Sequence, residues 1–79
     1  MSPMPVEIDF GALCAALEKE RRARATTYAK IAAESAVDKT NISRMRRSAD
    51  HGIGLKAFAR LVTWLGVPAE TFFVIGGAR

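Results

Sequence analysis

The chain has 79 residues, 49% hydrophobic and 25% charged, with a net charge of +4 at pH 7. That length suits one small domain, and that composition is globular rather than disordered. A single cysteine, Cys14, excludes an internal disulfide, and no apolar run approaches the ~18 residues that a membrane span requires.

Residues 1–8, with Pro3 and Pro5, read as a flexible arm. The arm has neither the basic start nor the apolar core of a signal peptide, so a cytoplasmic protein is expected. Asp9 suits an N-cap, and Phe10, Leu13 and Leu17 fall at i, i+3 and i+7, which predicts a helix from residue 10 to about 24. Its last turns hold Arg21, Arg22 and Arg24. Cations favour that negative pole of the helix dipole, and the same side chains are also candidates for phosphate contact.

A second helix is expected over residues 27–35, opened by the Thr27 hydroxyl and burying Ile31 and Ala32. Ala36 makes the turn, Val37 enters the core, and Asp38 caps a third helix, Lys39–Arg47. Only Ile42 and Met45 are apolar in that helix, three apart on one face. The opposite face carries Lys39, Thr40, Ser43, Arg44 and Arg47. Residues 48–54 form a turn-rich loop, with Gly54 as N-cap for a fourth helix, Leu55–Leu65. Leu55, Phe58, Leu61, Val62 and Leu65 make a broad apolar stripe on it. Gly66 and Pro68 end that helix, and a short fifth is expected over residues 69–74, carrying Phe72 and Phe73. Residues 76–79 should fray. No strand alternation stands out. The expected fold is an all-α, compact five-helix bundle over residues 9–75.

Positive charge is concentrated. Between residues 35 and 60 there are six basic residues (Lys39, Arg44, Arg46, Arg47, Lys56 and Arg60) against two acidic ones, Asp38 and Asp50. None of the first nine residues is Lys or Arg. A helix with a buried edge and a polar, basic outer face suits the DNA major groove.

The segments LCAALEKERR, TTYAKIAAESAV, DKTNISRM and FARLVTWLGVPAETFF together resemble the lambda-repressor-like helix-turn-helix domains of the Cro/XRE family, over residues 10–73. The resemblance implies a five-helix domain with its helix-turn-helix at helices two and three. It also implies a sequence-specific transcriptional regulator, a repressor, that sets helix three in the major groove of double-stranded DNA, often as a dimer. By position, Lys39, Thr40 and Arg44 match the family's base-reading slots, with Asn41 and Ser43 beside them. Thr27 and Tyr28 stand at the start of helix two, where a polar residue of the family commonly contacts a phosphate. The chain departs from the family pattern at Ala36, in place of the turn glycine, and at Ala25, Thr26 and Lys30. The loop after helix three is also longer.

Arg44 has the planar fork that bridges O6 and N7 of a guanine, while Lys39 can reach a guanine or a phosphate. Arg46, Arg47 and Lys56 flank the reading helix as phosphate contacts or as solvated charges. The four consecutive apolar residues 72–75 can cap the core or form a homodimer contact. His51 lies in a loop without the further ligands that a metal needs, and Cys14 reads as a small, partly buried hydrophobe. No Gly-rich phosphate loop, carboxylate pair or nucleophile–base set is present, so neither an enzyme nor a cofactor is expected. A protein-interaction module of the same fold, an antitoxin or adaptor binding a partner protein, is the competing expectation.

Overall fold

A computed structural model describes residues 6–48 and 52–75. Four α-helices dominate it: α1 (Phe10–Ala23), α2 (Tyr28–Ser35), α3 (Lys39–Arg47) and α4 (Leu55–Leu65). A 3-10 turn over Ala69–Phe72 follows, and two short strands, β1 (Val6–Ile8) and β2 (Phe73–Ile75), pair antiparallel with Glu7 opposite Val74. The chain is predominantly helical. No described helix is long and apolar enough to cross a membrane.

Each early helix starts where a side chain accepts from a free backbone N–H. Asp9 takes the Ala12 amide at 2.9 Å, Thr27 the Lys30 amide at 3.2 Å, and Asp38 the Thr40 amide at 2.8 Å. Three of the four helices, α1, α2 and α4, are closely followed by left-handed residues, whereas α3 ends on the extended Ser48. Gly66 ends α4 at φ 76°, which glycine adopts freely, whereas Ala25 (φ 51°) and Ala36 (φ 60°) adopt the same region with a Cβ. Arg60 on α4 donates to the Ala36 carbonyl at 2.8 Å and braces that turn.

One core joins all four helices. Leu13 and Leu17 of α1, Ile31 of α2, Ile42 and Met45 of α3, and Phe58 and Leu61 of α4 are each at most 2% exposed. Removing each of these side chains from water stabilises the fold by roughly 1.5–3 kcal/mol. Phe72 drops into the same core and meets Phe58 edge-on, with ring centroids 6.4 Å apart.

Both terminal segments of the described chain differ from the five-helix expectation. The segment expected as a fifth helix makes only the 3-10 turn before Phe73, Val74 and Ile75 extend into β2. Aromatic and β-branched residues favour that extended state once a partner strand is present. The partner comes from the expected arm: residues 6–8 form β1, and the Asp9 amide donates to the Phe72 carbonyl at 2.7 Å. Residues 1–5 and 76–79 lie outside the described residues. Leu55, expected in the apolar stripe, is 77% exposed, because it overhangs the N-terminal end of α4 beyond the core.

Candidate nucleic-acid interface

α3 presents one face to the core and the rest to solvent. Ile42 and Met45 are buried, while Lys39, Thr40, Arg44, Arg46 and Arg47 are exposed and Asn41 and Ser43 are half-buried. At about 100° per residue, Lys39, Thr40, Ser43, Arg44 and Arg47 fall together opposite the buried edge. Arg46 and Asn41 fall at the two margins. All five base-reading candidates from the sequence therefore lie on or beside one continuous surface.

A shallow depression adjoins each margin. On one side Asn41 joins Asp38, Lys56 and Arg60 around the start of α4. Lys56 is exposed there, beside the surface of α3. On the other side Arg46 joins Glu18, Arg21, Arg22, Tyr28 and Cys14. Basic groups thus lie along both flanks of α3.

The second flank is tightly organised. The Glu18 carboxylate accepts from Arg21 Nε at 3.0 Å and Nη2 at 2.7 Å, from Arg22 Nε at 2.7 Å, and from the Tyr28 hydroxyl. The Arg46 guanidinium carbon sits 3.8 Å from the centroid of the Tyr28 ring, a separation that fits face-to-face stacking. Hydrogen bonds from Arg21, then Tyr28 and Arg22, hold the Glu18 carboxyl far below the usual carboxylate range. The bond to Glu18 also raises the Arg21 pKa. Burial, and next the bond to Glu18, push the Tyr28 phenol up. Burial pushes the Cys14 thiol up as well, against the lowering influence of Arg46.

The phosphate candidates at the start of α2 are accordingly engaged within the protein. The Thr27 hydroxyl caps the Lys30 amide, and the Tyr28 hydroxyl is held by Glu18. Arg24 sits over the Trp64 ring at 4.2 Å, while the Trp64 indole donates to Glu34 at 2.9 Å, so both serve packing between helices. The thiol of Cys14 points to the Met45 carbonyl at 3.6 Å. His51 lies outside the described residues. The sequence pattern assigns no individual role to Glu18 or Arg60. The Glu18–Tyr28 and Arg60–Ala36 contacts span 10 and 24 residues, and no local spacing marks them. The Glu18 pairs with Arg21 and Arg22, by contrast, follow the i,i+3 and i,i+4 spacing of a helix.

No family model matches the chain, and neither a curated protein nor a solved structure matches it.

Proposed function

We propose that the chain is a cytoplasmic, sequence-specific DNA-binding transcriptional regulator, a repressor of the lambda-repressor-like kind. In this reading α2 and α3 act as a helix-turn-helix, with α3 in the major groove. The observation that carries it is the division of α3: Ile42 and Met45 are buried, and every other side chain of the helix is at least partly open to solvent. Arg44, Lys39, Thr40, Asn41 and Ser43 supply donors and acceptors for base edges. Arg46, Arg47 and Lys56 supply cations for the phosphates that border a major groove on each side. A protein-docking helix would expose Leu, Phe or Met in place of these residues.

A homodimer belongs to the same reading, because a single small domain makes few base contacts. Phe73, 45% exposed and stacked on Phe58 with centroids 6.2 Å apart, supports a contact at the ribbon end of the bundle. Sedimentation showing a monomer at high micromolar concentration would remove that contact. The test of the function itself is selection from a random duplex library at ~150 mM salt, which suppresses purely electrostatic binding. An enriched motif with dyad symmetry supports a dimeric regulator. Absence of enrichment by the folded protein overturns the reading in favour of a module that binds a partner protein.

A further inference from the structure

The flank of α3 that contains Arg46 is built from three helices, and its parts form a chain. Glu18 on α1 accepts the Tyr28 hydroxyl at the first turn of α2, and the Tyr28 ring lies under the Arg46 guanidinium of α3. Arg21 and Arg22 also hold the Glu18 carboxylate, at 2.7 Å each, and Arg21 shares with the Tyr28 hydroxyl the oxygen Oε1. A long arginine side chain on an exposed helix face ordinarily samples many rotamers, and ordering it on binding opposes affinity. Arg46 has been given one place to rest.

We propose that Glu18 and Tyr28 are positioning residues for a DNA backbone phosphate: they hold Arg46 stacked at the edge of α3, where its N–H groups, unbonded among the described residues, can meet a phosphodiester oxygen. The proposal rests on the DNA-binding reading above. A guanidinium stacked by its face on an aromatic ring keeps its in-plane donors available, so platform and ligand do not compete. Tyr28 thereby acts through Arg46 and does not itself touch the phosphate, its hydroxyl being committed to Glu18. The cluster carries three arginines against one glutamate, so the flank stays net positive when the Glu18 carboxylate is satisfied.

The test measures binding of the full chain to a short duplex of arbitrary sequence over a range of salt concentrations. Arg46→Ala should weaken binding about tenfold and reduce the salt slope by about one. Tyr28→Leu should weaken binding several-fold yet keep the slope, because the Arg46 charge remains. In the Tyr28→Leu background, Arg46→Ala should then weaken binding by a smaller factor than in the native protein. Glu18→Gln and Glu18→Ala lose the same charge, so their comparison isolates position: the glutamine variant, which keeps an acceptor for Tyr28, should bind more tightly. That pair keeps the proposal testable if Tyr28→Leu fails to fold. Independent effects of Tyr28→Leu and Arg46→Ala, equal binding by the two Glu18 variants, or an unchanged salt slope in Arg46→Ala would each overturn it. A native protein that binds no duplex overturns the DNA-binding reading and this proposal together, whereas loss of the coupling alone leaves that reading standing.

Discussion

The Arg60 guanidinium donates a 2.8 Å hydrogen bond to the Ala36 carbonyl, tying α4 to the residue at which α2 stops. Ala36 sits there at φ 60° and ψ 35°. An L-residue in that region is strained by roughly 1–2 kcal/mol, and glycine is not. Replacing Ala36 by Gly should therefore stabilise the fold by up to about 1 kcal/mol and raise the melting temperature by roughly 4–8 °C. Arg60→Ala should do the opposite, by about 0.5–1.5 kcal/mol. Thermal melts of both variants check this, and a lower melting temperature for Ala36→Gly would refute the strain.

Neighbouring positions on α3 should separate stability from recognition. Met45 is fully buried, and truncating it to Ala should destabilise by about 2–5 kcal/mol. Arg44 is exposed, and its side chain makes no hydrogen bond among the described residues. Arg44→Ala should leave the melting temperature nearly unchanged while removing ~1–3 kcal/mol of discrimination at one base pair, read by repeating the duplex selection. Uniformly weaker binding with intact preference would reassign Arg44 to a phosphate.

Glu18 should give the stability a signature in acid. Its carboxyl is held far below the ordinary 4.5 by Arg21, Tyr28 and Arg22. A depressed carboxyl contributes its full stabilisation above its ordinary pKa, and that contribution is lost as pH falls toward the folded value. The native melting temperature should thus fall more steeply than that of Glu18→Gln between about pH 5 and pH 3. Parallel curves would show that the charged form of Glu18 adds nothing.

The ribbon offers a fourth test. Residues 1–8 would be dispensable if they were only an arm, but residues 6–8 pair with residues 73–75. Deleting residues 1–8 should lower the melting temperature by several degrees, on the order of 1 kcal/mol. An unchanged melt would mean that the pairing contributes nothing to stability.

What could be read in advance follows the range of each interaction. The limits of α3 were legible because Asp38 and the Ile42–Met45 spacing act within a turn or two. α4 was bounded by Gly54 and Gly66 for the same reason. β1 and β2 were not, since three residues carry no period and their partners lie at opposite ends of the chain. The outer face of α3 was visible as a pattern of residue types. Its supports, Glu18 under Tyr28 and Arg60 on Ala36, depend on packing between helices and leave no local trace. Leu55 shows the limit of periodicity: it fits the stripe, but a helix end can project past the core that the stripe faces.

The pairing of β1 with β2 has a consequence for synthesis. α1 leaves the ribosome before β2, yet the Asp9 amide at its start bonds to the Phe72 carbonyl, and β1 must wait for residues 73–75. Contacts between such distant residues form late, after the loop between them has closed. The growing chain can therefore assemble its helices early but cannot close its ribbon until residues 73–75 have been made. Until then the side of Phe58 that Phe72 covers stays open.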